Sequence, residues 1–337
     1  MYAFIRQFLF LLPTEISHRV ALTSLSLVYK TGLLALFTPT IASQPKQVMG
    51  LTFPNAVGLA AGLDKNGDYI DALGQLGFGF VEVGTVTPRA QSGNEKPRLF
   101  RLPAVGGIIN RMGFNNKGVD YLVEQVKQTN YQGVIGINIG KNLDTAVENA
   151  VDDYLICLRK VYAYADYIAV NISSPNTPGL RSLQTGDELG HLLSRLKQEQ
   201  QRLAEEQQRY VPLAVKVAPD LSDAEIADMA TALKANHIDA LIATNTTLAR
   251  DKVAGLPHAT EQGGLSGEPV KAMSTAVIAK FKQQLNNQVP IIGVGGIASA
   301  ADVTEKIEAG AELVQIYTGF IYQGATLIAQ SVKATNG

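Results

Sequence analysis

PIIGVGGIASAADVTEKIEAGAELVQIY, at residues 290–317, decides the fold. The apolar runs Pro290–Val294 and Leu313–Tyr317 are short and rich in Val and Ile, which is typical of strands buried on both faces. The glycine-rich turn Gly293–Ile297 leads from the first run into a segment predicted to be helical from about Ser299. A helix that joins two such strands makes them parallel. This stretch therefore predicts a β-α-β unit.

The same pattern recurs along the chain. Six further apolar runs are predicted strands: Val57–Ala61, Phe80–Val83, Val134–Ile139, Tyr167–Asn171, Leu213–Val217 and Ala240–Ala243. Intervening segments such as Asp187–Arg209 and Asp223–Ala235 are charged on one face and apolar on the other, as expected of surface helices. Eight uninterrupted alternations favour an α/β fold of the (β/α)8 TIM barrel type over a doubly wound sheet. Before them, Met49–Phe53 and Asn55–Gly58 around Pro54 predict a small hairpin that closes the bottom of the barrel.

Composition excludes several classes of protein. The 337 residues are 46% hydrophobic with 29 basic and 30 acidic side chains, which argues against disorder and against nucleic acid as a partner. One cysteine, Cys157, cannot build a disulfide scaffold and is predicted to be a reduced core thiol in a cytosol-facing protein. No apolar run approaches the roughly 20 residues that span a bilayer. The histidines show no metal-ligand spacing, so no metal site is predicted.

Residues 1–45 differ from the rest of the chain. They are rich in large apolar residues at helical spacing and carry three basic residues and one acidic residue. Pro13 predicts a break, Thr14 an N-cap, and Glu15–Lys30 a second helix that Gly32 ends. A signal peptide is disfavoured because Pro13 interrupts the apolar run and no small-residue cleavage site follows. Two interpretations remain open: a helical hairpin packed as ordinary core, and amphipathic helices lying on a membrane surface.

Polar residues follow the predicted strands directly, at the end where barrel enzymes place their chemistry. In strand order they are 60–67, 84–85, 138, 171–179, 216, 244–246, 293–297 and 317–319. One such residue after one strand is usually a strand end or a turn. Polar residues after all eight strands predict an active site.

The turn Gly293–Ile297 is predicted to bind phosphate. Glycines let backbone N–H groups approach an anion, and the N-terminus of the following helix adds partial positive charge. Gly263–Gly267 predicts a second anion-binding turn, and Tyr317-Thr318 a third edge of the site. Lys216 on the fifth strand would then face the pyrimidine edge of a flavin, where a cation stabilises the anionic reduced form. An ion pair inside the barrel is the less favoured alternative for this lysine.

Four asparagines come from separate segments that converge over the mouth of such a barrel: Asn110, Asn171, Asn176 and Asn245. Their amides offer donors and acceptors that suit the alternating C=O and N–H groups of a pyrimidine ring. Lys65 would neutralise a substrate carboxylate. Ser173-Ser174-Pro175 holds the candidate nucleophile or base, and the absence of a nearby histidine in sequence disfavours a Ser-His-Asp hydrolase.

Together these residues resemble the dihydroorotate dehydrogenases, specifically the membrane-associated, quinone-dependent class 2. The resemblance covers essentially the whole chain and is carried by these motifs: Gly62–Asn66, Gly84–Pro88, Arg98–Leu102, Asn110–Asn115, Asn171–Gly179 and Gly293–Ile297. It implies one FMN per chain and oxidation of (S)-dihydroorotate to orotate in de novo pyrimidine (UMP) biosynthesis. It also implies a ubiquinone-type quinone as the final electron acceptor, in a ping-pong cycle.

The resemblance implies roles for individual residues. Ser174 would be the base, taking the proton from substrate C5 while hydride passes from C6 to flavin N5. Beyond the resemblance, we infer that Thr177 relays that proton through water. FMN would be held by Ala60, Ala61, Gly62, Leu63, Asp64, Lys65, Thr85, Asn138, Asn171, Lys216, Thr244, Gly267, Gly296, Tyr317 and Thr318. Dihydroorotate would contact Lys65, Asn110, Arg111, Met112, Gly113, Phe114, Asn171, Asn176, Asn245 and Thr246.

Two features favour class 2 over the similar soluble class 1. Class 1 relatives use cysteine as base, whereas Cys157 lies in a predicted helix far from the Ser174 loop, and they lack an extension like residues 1–45. By resemblance, that extension binds the membrane lipid surface ahead of a catalytic barrel at 46–337. The protein would be a monomer, peripheral on the cytoplasmic face of the inner cell membrane. A quinone tunnel would be lined by His18, Arg19, Arg101 and Tyr317.

Residues 86–117 form a connection that is too long for a simple loop, and such long connections usually have a function.

Two rival functions fit the sequence less well. Another FMN barrel, such as a tRNA dihydrouridine synthase, predicts a catalytic cysteine and a basic RNA surface, and the composition gives neither. A non-catalytic membrane scaffold that binds a phosphorylated metabolite leaves Lys216 and the four asparagines without a role.

Overall fold

The computed structural model describes residues 2–39, 41 and 44–335. Met1, Thr40, Ala42 and Ser43, which fall in the predicted extension, lie outside the described residues, as do Asn336 and Gly337. The strands are β1 Lys46–Val48, β2 Leu51–Phe53, β3 Val57–Leu59, β4 Phe80–Val86, β5 Leu99–Leu102, β6 Gly107–Asn110, β7 Val134–Ile139, β8 Tyr167–Asn171, β9 Leu213–Val217, β10 Ala240–Ala243, β11 Gly264–Gly267, β12 Ile291–Val294 and β13 Leu313–Ile316.

The helices alternate with the barrel strands after an N-terminal group of three. They are α1 Tyr2–Leu11, α2 Thr14–Lys30, α3 Leu34–Phe37, α4 Ile70–Gly74, α5 Val119–Lys127, α6 Ala150–Val161, α7 Gly186–Gln207, α8 Asp223–Ala235, α9 Lys271–Leu285, α10 Ala300–Glu308, α11 Thr318–Gln323 and α12 Ala325–Ala334. The amphipathic pattern locates α8 at the predicted residues, and its first turn is closed by a capping box between Ser222 and Glu225.

Eight parallel strands close into a barrel in the order β10-β12-β13-β3-β4-β7-β8-β9. These are the eight strands predicted from the apolar runs, and β4 continues three residues beyond the predicted end at Val83, to Val86. Every residue of all eight is buried, which explains why the runs are continuous rather than alternating. The predicted TIM barrel is confirmed.

A hairpin closes the bottom of the barrel, but its position differs from the prediction. β1 pairs with β2 across Met49 and Gly50, which both have positive φ, as a tight two-residue hairpin turn requires. The prediction of a hairpin around Pro54 is therefore wrong, because this turn chemistry lies four residues earlier. Phe53 of β2 is fully buried, and its ring centroid lies 5.2 Å from that of Phe80 in the barrel floor.

The long connection at 86–117 is mostly regular structure rather than loop. β5 pairs with β6, and β6 pairs with β11, to give a three-stranded antiparallel sheet above the barrel. Gly263–Gly267, predicted to be an anion-binding turn, is largely strand β11, which pairs with Gly107–Asn110. Gly267 at its end lines the mouth cavity, and the binding of an anion there stays a prediction.

The N-terminal helices dock on the barrel through polar contacts to helix ends. Arg101 donates to the carbonyls of Phe10 (2.8 Å) and Leu12 (3.1 Å) at the end of α1. Tyr2 and Arg6 donate to carbonyls at the end of α11, each at 2.6 Å. Helix α2 begins at Thr14 with Pro13 at its N-cap, so the predicted Thr14 N-cap is wrong; Pro13 already has the extended backbone of that position.

A second contact, from α2, fixes the extension near the barrel mouth. The guanidinium of Arg98, only 5% exposed, pairs with Glu15 at 2.8 Å.

Despite this docking, eleven of the sixteen exposed large hydrophobic side chains in the described residues belong to the extension: Phe4, Ile5, Phe8, Leu11, Leu12, Ile16, Val20, Leu27, Leu33, Leu36 and Phe37. In the described part of the chain, no helix has the length and apolar character to cross a membrane. The extension is thus packed on one side and apolar on the exposed side.

We expect Phe53→Ala to lower the free energy of unfolding by about 3–5 kcal/mol, because it leaves a cavity under the barrel floor. Phe37→Ala is the matched control: its side chain is 60% exposed, and the change should be within about 0.5 kcal/mol. Urea unfolding followed by circular dichroism measures both. Equal shifts in the two variants would show that Phe53 does not carry this packing.

Candidate active site

A cavity opens at the mouth of the barrel, where the carboxyl ends of the strands meet. The predicted site residues that line it are Ala60, Ala61, Gly62, Lys65, Thr85, Asn110, Met112, Gly113, Phe114, Asn171, Ser174, Asn176, Lys216, Thr244, Asn245, Thr246, Gly267, Gly296, Tyr317 and Thr318. Val270 and Gln315 also line it and were not predicted. Most of the site residues predicted from separate segments of the sequence therefore line one cavity.

The four asparagines meet there in two pairs. Asn176 donates from Nδ2 to Oδ1 of Asn110 at 3.2 Å. Asn245 donates from Nδ2 to Oδ1 of Asn171 at 3.4 Å and to Oγ of Ser173 at 3.0 Å. The predicted convergence is confirmed, and it presents amide donors and acceptors around one space.

Two neighbouring serines have different surroundings. Ser173 is fully buried, and its hydroxyl is tied to Asn171 and Asn245. Ser174 lines the cavity and accepts only the backbone N–H of Asn176, at 3.2 Å. Thr177, four per cent exposed, has an Oγ1 with no hydrogen-bond partner among the described residues. Ser174 is thus the serine of this pair that is available to a bound molecule.

A buried carboxylate lies under the cavity, and sequence reasoning missed it. Glu82 is fully buried; Oε1 accepts from Nδ2 of Asn138 at 2.8 Å, and Oε2 accepts from Tyr167 and Gln315, each at 2.7 Å. Nζ of Lys216 lies 3.9 Å from Oε1. Burial lowers the pKa of Lys216, and the Glu82 carboxylate opposes that shift. The signal was a charged residue inside the apolar run of β4.

Lys216 has a position that allows both of the roles considered from the sequence, and its role towards a flavin stays a prediction. It lines the cavity, where a bound ring would meet its ammonium, and it forms the ion pair inside the barrel that was the less favoured alternative. Asn138 does not line the cavity. Its amide is held between Glu82 below and Thr85 beside it, where the hydroxyl of Thr85 donates to Oδ1 at 2.5 Å.

The glycine loop after β12 offers free backbone donors. In the described part of the chain, nothing accepts a hydrogen bond from the N–H groups of Gly296 or Ile297, which follow the last paired residues of β12. Buried N–H groups are rarely left unpaired, so this loop matches a ligand with several acceptor oxygens. A Cβ on Gly296 would lie 2.4 Å from Cα of Lys271, so only glycine fits there. The predicted phosphate cradle has the donors it needs.

The N-terminus of α10 carries a carboxylate of its own first turn. Oδ2 of Asp302 accepts from the N–H of Ala298 and from the Ser299 hydroxyl, each at 2.9 Å, and the Ser299 hydroxyl accepts from the N–H of Asp302. The contribution of this helix end to anion binding stays a prediction.

Three predicted site residues direct their side chains elsewhere. Leu63 packs in the hydrophobic core. Asp64 accepts four backbone N–H groups of its own loop, from residues 66–69, and burial raises its pKa to about 6. Arg111 pairs with Glu261 at 2.6 Å, outside the cavity. Asp64 instead shapes the loop that carries Lys65.

Lys65 lies between the mouth cavity and a second cavity beneath α2. Its Nζ donates to the carbonyl of Gly62 at 2.8 Å, and burial lowers its pKa to about 8. His18 and Arg19 line the second cavity, and burial lowers the pKa of His18 to about 4, so that its imidazole is neutral at pH 7. Tyr317 lines both.

A third cavity lies between α1, α2 and the barrel. It is lined by His18, Arg101 and Tyr317, together with apolar residues of the extension. The four residues predicted for a quinone tunnel are therefore grouped around adjoining cavities, and Tyr317 is common to all three.

Comparison with known proteins gives consistent matches. A family model described as dihydroorotate dehydrogenase matches residues 44–335. The chain is 60% identical, over 98% of its length and 96% of the relative, to the dihydroorotate dehydrogenase (quinone) of Cellvibrio japonicus. It is 59% identical to that of Pseudomonas aeruginosa, over 99% and 98% of the two chains. A solved structure of DHODH from Eimeria tenella in complex with ferulenol superposes with a TM-score of 0.86, at 37% identity, covering 95% of this chain and 90% of that one.

We expect Glu82→Ala to lower the free energy of unfolding by about 3–5 kcal/mol, because it leaves the Lys216 ammonium buried without its counter-charge. Glu124→Ala removes an exposed ion pair with Lys127 and should cost less than about 1 kcal/mol. Chemical denaturation of both variants measures the difference. A loss as small for Glu82 as for Glu124 would mean that the buried pair is not coupled.

Proposed function

The chain belongs to the dihydroorotate dehydrogenase family, in its quinone-dependent class, and on that premise we propose that it oxidises (S)-dihydroorotate to orotate, with FMN as hydride acceptor and a membrane quinone of the ubiquinone type as final electron acceptor. The reaction belongs to de novo pyrimidine (UMP) biosynthesis. The observation that carries the proposal is one cavity that joins unpaired loop N–H groups to two asparagine pairs and to Ser174.

The cavity fits one FMN per chain. The free N–H groups of Gly296 and Ile297 suit a phosphate monoester. Two buried cavity-lining atoms, Oγ1 of Thr244 and Oε1 of Gln315, have no partner among the described residues and are available to a polar ring. Lys216 supplies positive charge on the same floor. FMN, when bound, accepts a hydride from the substrate and passes two electrons on to quinone.

The asparagine pairs would orient the substrate ring. Each amide can exchange its hydrogen bond within the pair for one to a C=O or N–H group of the substrate ring. These hydrogen bonds would fix the plane of the ring and determine which of its edges faces the asparagines. Lys65 would hold the substrate carboxylate. Because burial lowers its pKa to about 8, a bound carboxylate would favour the charged ammonium and raise that pKa.

Ser174 would take the proton from substrate C5. Its Oγ is enclosed, with the side chain only 5% exposed, so little water competes for it. A serine hydroxyl is a weak base, and its proton needs a path out. Thr177, whose Oγ1 has no partner among the described residues, would supply that path through water.

Residues 1–45 would associate with the membrane, and 46–337 would form the catalytic domain. The exposed apolar side chains of the extension suit the lipid interface, while the cavities lined by His18, Arg19, Arg101 and Tyr317 suit a quinone that enters from it. The protein would act as a monomer, peripheral on the cytoplasmic face of the inner cell membrane.

We expect Ser174→Ala to retain bound FMN but to slow its reduction by dihydroorotate about 10²–10⁴-fold, because the C5 proton loses its acceptor. The measurement is anaerobic mixing with dihydroorotate, followed by flavin absorbance, and then addition of ubiquinone and of fumarate. Wild-type flavin should bleach and then recover with ubiquinone.

The control for this variant is Ser182→Ala in the same connection, where the exposed hydroxyl donates only to the carbonyl of Gly179 and to Glu188. It should bleach at the wild-type rate. A colourless wild-type protein would contradict the proposed function as a whole. Full-speed bleaching in Ser174→Ala would refute only the assignment of the base.

We expect the double variant Phe4→Asp, Phe8→Asp to lose binding to vesicles of phosphatidylethanolamine and phosphatidylglycerol and to turn over long-tailed quinone more slowly. These two rings are 65% and 58% exposed and contact each other, so the change leaves the docking contacts of Tyr2 and Arg6 in place. Bleaching by dihydroorotate should be unchanged.

The matched control is Leu143→Asp, Leu248→Asp, at exposed positions of the barrel. Vesicle flotation should not distinguish this control from wild type. Deletion of residues 1–42 should likewise impair quinone turnover, but it also removes Glu15 and leaves Arg98 unpaired. Unchanged flotation and quinone turnover in the Phe4, Phe8 variant would refute the membrane role of this face.

A further inference from the structure

A buried lysine outside the cavity has no role in the reaction described above. Lys306 of α10 is fully buried and forms no ion pair with any described residue. Its three ammonium N–H groups are matched by three oxygens: the carbonyl of Lys271 at 3.2 Å, Oγ of Ser274 at 3.0 Å and Oγ1 of Thr275 at 2.8 Å. Buried charges without a charged partner are rare, so this one calls for an explanation.

One of those three oxygens connects the lysine to the glycine loop. Oγ of Ser274 donates to the carbonyl of Val294 at 2.6 Å, and the N–H of Thr244 donates to the same carbonyl at 2.8 Å. Because a trans peptide is planar, a carbonyl fixed towards Ser274 directs the N–H of Gly295 the opposite way. Gly295 lines the mouth cavity, and the next two residues, Gly296 and Ile297, carry the free N–H groups of the loop, so fixing this peptide fixes the start of the loop.

We propose that Lys306 is a positioning residue for the cofactor phosphate: through the Ser274 hydroxyl, its ammonium fixes the Val294–Gly295 peptide so that the loop N–H groups face a phosphate monoester. This inference rests on the proposed FMN function and deepens it.

The cost of burying the ammonium supports a role beyond packing. Burial lowers the pKa of Lys306 to about 7; the carboxylates of Glu305 and Asp302 oppose that shift only in part, and the ammonium of Lys271 adds to it. An apolar residue would fill this space without that cost. A charge kept where packing does not need it is expected at functional positions.

The closest test uses two hydroxyl deletions. Ser274→Ala and Thr275→Ala each remove one acceptor of Lys306, but only the Ser274 hydroxyl also reaches the loop. Flavin is extracted from the purified full chain, and FMN and riboflavin are titrated back by flavin fluorescence. Because riboflavin lacks the phosphate, the ratio of the two dissociation constants isolates phosphate recognition from general damage to the site.

We expect Ser274→Ala to raise the dissociation constant of FMN about tenfold or more and that of riboflavin less than about threefold. The tenfold change corresponds to a loss of about 1.4 kcal/mol of binding free energy. Thr275→Ala should leave the ratio near the wild-type value. Lys306→Met should change the ratio as Ser274→Ala does. Lys141→Met is its control, since Lys141 is equally buried but donates to the carbonyls of Asn142 and Thr145, outside the glycine loop.

The inference is overturned if Ser274→Ala leaves the FMN-to-riboflavin ratio unchanged, or if Thr275→Ala shifts it equally. It is also overturned if Lys306→Met weakens both flavins to the same degree. Should Lys306→Met fail to fold, the Ser274 and Thr275 pair decides the question alone. A wild-type chain that binds FMN no better than riboflavin contradicts the phosphate site itself, and so the proposed function, rather than the role of Lys306.

Discussion

Closure of eight parallel strands into one barrel is the constraint on which the rest of the molecule depends. Parallel strands in a ring bring all their carboxyl ends to the same mouth, so residues as distant in sequence as Thr85 and Asn245 line one cavity. Closure also leaves a narrow interior. Polar groups there must satisfy one another, and Glu82 does so by accepting hydrogen bonds from side chains on three other strands.

The site combines a side-chain half and a backbone half. Side chains over the mouth supply the amides, the serine and the two lysines that would handle a ring, its carboxylate and its proton. The glycine loop supplies backbone N–H groups, and these can be directed only by fixing the peptides that carry them. Val294 is therefore as informative as any side chain in the cavity, because the partners of its carbonyl determine where the next N–H points.

The N-terminal extension is held on the barrel by one side only. Leu22 and Leu34 are buried in the main hydrophobic core, and Glu15 pairs with the buried Arg98. Hydrogen bonds to helix-end carbonyls add to this packing. Helix ends leave carbonyls free, so guanidinium and phenol groups can hold them without covering the helix sides. The helices thus pack on the barrel, as one interpretation of the sequence predicted, and their other side is apolar and exposed; the membrane-surface interpretation stays a prediction.

The sequence by itself determined the barrel, its eight strands and most of the cavity-lining residues, because continuous apolar runs, glycines and strand-end polar residues are local signals. Tertiary structure alone decided the partner of each group. Asp64 looked like a site residue but caps its own loop, and the N-terminus of α10 was already occupied by Asp302. Glu82 stood out as a charge inside an apolar run, but neither its partners nor those of Lys306 could be predicted locally, since they lie on strands and helices that only folding brings together. A local sequence pattern predicts the secondary structure and burial of a residue, whereas the hydrogen-bond partner of that residue depends on closure of the whole barrel.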